Sequence, residues 1–297
     1  MSLKERNLKV YLVPNLEGVP LHDNKIKSIE AGYNDDVNHF DHHGEYAYAK
    51  SPCNRDDIPA INSDATVYIT HMDTDTFLGL FRLLRGTPTN THIQGDHEFQ
   101  LNTNLLEELD CNGTSICKDK TNDNLAFFLG VTNYARKIGF PRVSAEAQDV
   151  TDYVQQLLDT PFYEFLQFGK SVIEKSEASY VSDKVTSFGN VILFDKPSNS
   201  SLDPSRPYED GFDLVVVYNQ AFKSISLYAS PNYNITLSDK EYAGILFQGR
   251  AKACGSPRGV EYTLEDAKKV FGDLFSSQTP SLKLSRSFSK WETKDVY

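Results

Sequence analysis

Three short stretches of this chain set histidines beside carboxylates: Asp41-His42-His43-Gly44, His71-Met72-Asp73-Thr74-Asp75 and Gly95-Asp96-His97-Glu98. Imidazole nitrogen and carboxylate oxygen together suit Mn²⁺, Fe²⁺ or Zn²⁺. At His71-x-Asp73-x-Asp75, alternate residues project to the same side of an extended chain, so one strand end can offer three metal-binding groups. The His42-His43 dipeptide says less by itself, because such pairs also occur in surface loops. Its weight comes from Asp41 and from the strand-like run before it. Two divalent cations about 3.5–4 Å apart can hold a bridging hydroxide and a phosphoryl oxygen together. The residue types therefore point to a metal-dependent hydrolase.

A site of this kind needs strands that end together. Leu8 to Val13 reads as a first strand stopped by Pro14-Asn15, and Val37-Asn38-His39-Phe40 alternates apolar and polar up to the first cluster. Ala65 to Thr70 is rich in β-branched and aromatic residues, as a central strand is, and delivers His71 at its end. Thr76 to Arg85 reads as a short apolar helix stopped by Gly86 and Pro88. Thr91 to Gln94 then leads into the third cluster, and Leu125 to Ile138 looks helical again. Alternating strands and helices favour an α/β layer architecture with a mostly parallel sheet flanked by helices, its clusters converging where parallel strands end.

A long helical stretch from Ala145 to about Lys175, interrupted near Pro161, precedes a change of texture. Val191 to Phe194, Leu214 to Tyr218 and Ile225 to Ala229 read as strands, with a polar, proline-bearing loop from Lys196 to Gly211. The expected organisation is a metal-binding domain over residues 1–179 and a smaller α/β domain over 180–297. In the latter, Gly255-Ser256-Pro257-Arg258-Gly259 precedes a helix whose Thr263-x-x-Asp266 resembles a capping box. Two glycines around an arginine let backbone N–H groups and a guanidinium approach an anion, although a plain strand-to-helix turn has the same composition. The tail beyond Ser276 is rich in serine and lysine, with Trp291 as a candidate anchor.

A chain of 297 residues is long enough for two medium domains. Its formal charge of −11 opposes sequence-independent binding to duplex DNA, while bound divalent cations can reverse the field locally for small anions. No run approaches the ~18 apolar residues of a membrane span, and the N-terminus lacks a signal-peptide pattern, so a cytoplasmic protein is expected. Cys53, Cys111, Cys117 and Cys254 form no CxxC pair and read as reduced thiols.

These motifs resemble the DHH phosphoesterase superfamily, named for its Asp-His-His motif. His71-Met72-Asp73-Thr74-Asp75 looks like the family's first motif, Gly95-Asp96-His97-Glu98 like the second and Phe40-Asp41-His42-His43-Gly44 like the third; the 255–259 turn is similar to the glycine-rich substrate loop of its smaller domain. The likeness covers residues 37–100 and, more loosely, 245–272. It implies His71 and Asp73 on one metal, Asp75 on the other, Asp96 bridging both and His42 on the second metal. His43 would contact phosphate or donate a proton, Asp41 would orient His42, and Arg258, with Gly255 and Gly259, would hold a distal phosphate. His97 and Glu98 would support the ligands or be structural, and His39 structural. The Asp-His-His motif comes first here, which implies a circularly permuted strand arrangement. The family's fourth carboxylate has candidate positions at Asp64, Asp123 and Asn133.

The expected activity is hydrolysis of a phosphodiester or phosphoanhydride by metal-bound hydroxide, with two divalent metal ions, Mn²⁺ by preference. A small phosphorylated substrate, a short single-stranded nucleic acid or polyphosphate fits; duplex DNA and membranes do not. The alternatives are a non-catalytic metal or nucleotide sensor and a metal-dependent hydrolase of carbon–nitrogen bonds.

Overall fold

The computed structural model describes residues 1–278 apart from 183, 199, 201 and 258. The chain divides into two compact units, Met1–Val172 and the part from Ile173 onward. The division falls inside a helix, earlier than the sequence places it. Among the described residues the fold is mixed α/β with six α-helices, and none of those helices is long and apolar enough to cross a membrane.

The first unit contains β1 (Leu8–Leu12), β2 (Ile26–Ile29), β3 (His39–Phe40), β4 (Ala65–Ile69), α1 (Thr74–Arg85), β5 (Thr91–Gln94), β6 (His97–Gln100), α2 (Thr103–Asn112), α3 (Asp123–Lys137), β7 (Gln148–Asp149), α4 (Thr151–Asp159) and most of α5 (Phe162–Ser182). Its main sheet has the order β3-β2-β4-β1-β7. The first four of these strands run parallel, and β7 pairs antiparallel with β1. Leu8, Val10 and Leu12 in β1, and Ala65, Val67 and Ile69 in β4, are buried at alternate positions. Tyr11 and Tyr68, between them in sequence, stack across the strand pair at 5.9 Å. The carboxyl ends of β3, β2 and β4 therefore lie side by side at one edge of the sheet.

Three expectations change here. Only His39 and Phe40 of the first alternating run pair as a strand, and Val37 is exposed. The run before the third cluster does not join the parallel sheet: β5 and β6 form an antiparallel hairpin, Gln94 opposite His97, with Gly95-Asp96 as its two-residue turn. The positive φ of Gly95, 61°, suits such a turn. The long helical stretch is interrupted at Pro161 as expected, into α4 and α5, but its first helix begins at Thr151 and not at Ala145, because Gln148-Asp149 pair as β7.

Helix α1 begins where β4 ends. Asp73 is its N-cap, accepting from the Thr76 N–H at 3.0 Å, and Gly86 ends it. Gly79 lets the helix press on its neighbours, since a Cβ there would stand 2.7 Å from Ile29 Cγ2 and 2.8 Å from Pro52 Cβ. That approach brings the first turn of α1, the end of β2 and the loop through Pro52 together.

The second unit contains β8 (Lys184–Phe188), β9 (Val191–Lys196), β10 (Leu214–Asn219), β11 (Ser224–Ala229), β12 (Lys240–Tyr242), β13 (Ile245–Arg250), β14 (Ala253–Gly255) and α6 (Leu264–Gln278). These strands form one sheet in the order β12-β13-β14-β11-β10-β9-β8, antiparallel except for β9 with β10. Val270, Phe271 and Leu274 of α6 pack on Val191, Leu193, Leu214 and Val216. Ile192, Phe194, Val215 and Val217 pack in a second cluster with Tyr180 and Tyr208. The expected capping box is present: Thr263 N–H donates to Asp266 Oδ2 at 3.0 Å and Asp266 N–H to Thr263 Oγ1 at 3.2 Å.

Candidate metal centre

The site is built where β2, β3 and β4 stop. Glu30 follows β2 with φ 53°, a left-handed conformation that non-glycine residues seldom hold. Its N–H donates to Phe40 O at 2.9 Å, and its carbonyl accepts from Thr70 Oγ1 at 2.6 Å, so β3 and β4 pin it from both sides. A backbone held this way at a strand end is characteristic of functional sites. Its side chain is fully buried.

Three carboxylates, Glu30 among them, meet at His42. His42, after β3 and only 8% exposed, places Nε2 3.2 Å from Asp75 Oδ2, 3.3 Å from Asp110 Oδ2 and 3.8 Å from Glu30 Oε1. Asp75 lies in the first turn of α1 and Asp110 in the last turn of α2. Among the described residues, His42 Nε2, Asp75 Oδ2 and both Glu30 oxygens are buried and make no hydrogen bond of good geometry; the contacts they do make are ion pairs involving His42 or His43. Buried polar atoms are ordinarily hydrogen-bonded, so a histidine and three acids held in one buried place chiefly by ion pairing are a donor set that a cation can also occupy. The other oxygen of Asp75 is fixed by the Ser51 hydroxyl and by the Cys53 N–H at 2.5 Å. Arg82, buried one face further along α1, donates to the Cys53 carbonyl at 2.9 Å and so holds that loop in place.

The charges agree with this reading. Burial and the neighbouring Asp75 carboxylate push the Glu30 carboxyl up to about 8, against the pull of His43 and His42. Burial opposes charge on His42, but Asp110, Asp75 and Glu30 outweigh it and raise the imidazole to about 11. Asp41 and Glu30 raise His43 to about 10. In the metal-free protein, imidazolium charge thus offsets the crowded carboxylates. Carboxylate oxygens and imidazole nitrogens are the ligands of Mn²⁺, Fe²⁺ and Zn²⁺, and Glu30-His42-His43 and His42-Asp110-Cys111 each bring three donor atoms within 4.8 Å of one another. The donor set fits a divalent cation.

The expected site residues divide. His42 and Asp75 meet, as implied for one metal. His71 and Asp73 form a pair of their own, His71 Nε2 3.0 Å from Asp73 Oδ2, and this neighbour raises His71 to about 9 although burial opposes it. Asp41 does not orient His42; it accepts from the His43 N–H at 2.6 Å and lies 3.3 Å from His43 Nδ1, while its other oxygen accepts from Gly32 N–H. Glu30 Oε2 sits 2.7 Å from the same His43 nitrogen. His39 is structural, tied to Ser28 Oγ and to Leu21 O at 2.9 Å each.

Asp96 is not placed at the strand ends. It sits exposed at the hairpin turn, and the adjacent His97 lies 3.2 Å from Asp123 Oδ2 and edge-on to Tyr163. The cause is topological: an antiparallel hairpin points its turn into solvent, whereas parallel strands gather their ends. The candidates for a fourth carboxylate are engaged elsewhere, Asp64 with Lys25, Asp123 with Lys170 at 2.8 Å and Asn133 with the Leu129 carbonyl at 2.8 Å. Arg258 lies outside the described residues. Gly255 ends β14, and the turn after it is tied down by Ser256, whose N–H donates to Ile225 O and whose Oγ accepts from Ile225 N–H.

Sequence reasoning missed Glu30 and Asp110. Strand β2, Ile-Lys-Ser-Ile, has two polar residues in four and gives no strand signal of its own. Asp110 did leave a trace: on α2 it stands four residues after Leu106 and next to Leu109, on the buried stripe, where a lone acid is out of place.

No family model matches this chain, and no curated protein matches it. Among solved structures, an uncharacterized protein from Helicobacter pylori G27 aligns with a TM-score of 0.24 and 12% identity, covering 80% of this chain and 74% of that one. A likeness of that degree carries no argument about fold or activity.

Proposed function

We propose that the chain is a metal-dependent phosphoesterase that hydrolyses a phosphodiester or phosphoanhydride of a small nucleotide, short oligonucleotide or polyphosphate, with Mn²⁺ as its metal. The observation that carries this reading is the convergence of the Glu30, Asp75 and Asp110 carboxylates on a buried His42 beside the ends of parallel strands. Glu30 would take the place expected of Asp96, since it is buried with one oxygen 3.8 Å from His42 Nε2 and the other 2.7 Å from His43 Nδ1. His71 and Asp73 serve the more exposed side of the site, and Asp75 with Asp110 the buried side.

Bound divalent cations would supply an acidified water and neutralise charge on the phosphoryl group. His43 is suited to meet a phosphate or to protonate the leaving oxygen, being partly exposed and held by Asp41 and Glu30 through its Nδ1. The Ser51 hydroxyl and Cys53 N–H keep Asp75 aimed at His42.

The test is hydrolysis of bis(p-nitrophenyl) phosphate and of a panel of short nucleotides by the full chain with and without Mn²⁺. Turnover that requires the metal and is lost in His43→Ala supports the reading. Metal binding without turnover across the panel contradicts it and makes the chain a non-catalytic metal or nucleotide sensor.

A further inference from the structure

Beside the all-oxygen-and-nitrogen donors stands a sulfur. Cys111 follows Asp110 on α2, and its Sγ lies 3.9 Å from His42 Nδ1, while Asp110 Oδ2 is 3.3 Å from Nε2 of the same ring. His42, Asp110 and Cys111 each bring a donor atom within 4.8 Å of the other two. Tetrahedral donors around a zinc ion are separated by roughly 3.5 Å. Closing the gap thus asks for a movement of about an ångström, which one rotamer adjustment of an exposed cysteine side chain can supply. The group does not rest on the thiol alone, because one ring nitrogen of His42, one Asp110 oxygen and the sulfur lie within 4.8 Å of one another, and His42 is only 8% exposed.

We infer that Cys111 is a metal ligand, and that His42, Asp110 and Cys111 form a thiolate-bearing position that selects Zn²⁺ or Co²⁺ over Mn²⁺ and Mg²⁺. Soft thiolate shifts preference towards borderline cations, whereas carboxylate and imidazole alone serve Mn²⁺ as well. As the metal–sulfur bond forms, the thiol proton passes to solvent, so binding there releases a proton and leaves a thiolate shielded from electrophiles. The inference rests on the metal-centre reading above but assigns one position a different metal and a different ligand.

Of the four cysteines, Cys111 is the exposed one; Cys53, Cys117 and Cys254 are buried. Iodoacetamide labelling of the native full chain therefore reads Cys111. The experiment follows labelling of the metal-free and Co²⁺- or Zn²⁺-loaded protein, together with the near-ultraviolet thiolate-to-cobalt charge-transfer band. Expected are protection of Cys111 by either metal, a cobalt band absent from Cys111→Ser, and a Zn²⁺ affinity about tenfold or more weaker in that variant with Mn²⁺ affinity little changed. Calorimetric binding of Co²⁺ with neither protection nor a band, or a band that survives in Cys111→Ser, would overturn the assignment of Cys111 and leave the metal centre standing. Absence of any cation binding would overturn both.

Discussion

Asp41-His42 and Asp96-His97 are the same dipeptide set in two places, and the places decide what each can do. The first follows a parallel strand whose neighbours end beside it, so His42 is buried against Glu30, Asp75 and Asp110. The second begins at a hairpin turn, where Asp96 is exposed and His97 finds a single carboxylate, Asp123. Residue type supplies donors; sheet topology supplies their convergence and takes them out of water. A half-buried histidine beside one acid that also pairs with Lys170 is an ordinary ion pair, while a buried histidine among three acids is unfavourable without a cation or a proton.

The sharpest way to break this comparison is to mutate both halves. His42→Ala and Asp75→Ala are expected to lower divalent-metal affinity by more than ~100-fold, beyond the 10–100-fold seen when only a supporting partner is lost, whereas His97→Ala and Asp96→Asn leave it unchanged within error. Calorimetric titration of the four variants with Mn²⁺ checks this. Equal losses on both sides would mean that the hairpin contributes to the centre. Glu30→Gln keeps the shape but removes the charge shared by His42, His43 and His71. The expected result is loss of turnover with a smaller loss of affinity than for His42→Ala, read from metal content and from hydrolysis of the aryl phosphodiester.

Much of the frame was legible in the chain and part of the site was not, for reasons specific to the elements. Strands β1 and β4, helices α1 and α3 and the strands β9 to β11 show regular apolar patterns with clear stops, and those patterns are what burial enforces. The motif from His71 to Asp75 announced itself by spacing. Strand β2 did not, because its pairing on both sides comes from β3 and β4 and not from its own four residues. Helix α2 hints at Asp110 only as an acid on the stripe of Leu106 and Leu109, and its partner His42 comes from tertiary packing. The hairpin was misread because Thr91 to Gln94 has the composition of a strand, and nothing in four residues tells parallel from antiparallel partners.

A smaller effect sharpens the roles within the buried half. Ser51→Ala removes a hydroxyl that holds Asp75 without itself facing His42. Metal affinity is expected to fall about 10–100-fold, less than for Asp75→Ala; an unchanged affinity would show that Cys53 N–H alone positions the carboxylate.

A last effect is in pH. His42 and His43 rise from an ordinary value of 6.5 to about 11 and about 10 in the metal-free protein, and Glu30 rises from 4.5 to about 8. The native state thus holds protons that the unfolded chain has already released. Their stabilisation is complete at low pH and is lost as pH climbs through the folded values. Metal-free protein is therefore expected to melt at progressively lower temperature between pH 7 and 10, and metal affinity to increase over the same range because ligands must give up their protons. Thermal unfolding with and without Mn²⁺ measures both; a metal-free melting temperature that rises with pH would contradict the clustering of these charges.

The most direct measurement is anomalous diffraction from crystals of the full chain soaked in Mn²⁺. The predicted result is a cation peak bounded by Glu30, His42, Asp75 and Asp110 at the ends of β2, β3 and β4. Density at Asp96 and His97 instead, or an ordered cluster with no peak at saturating metal, would contradict it.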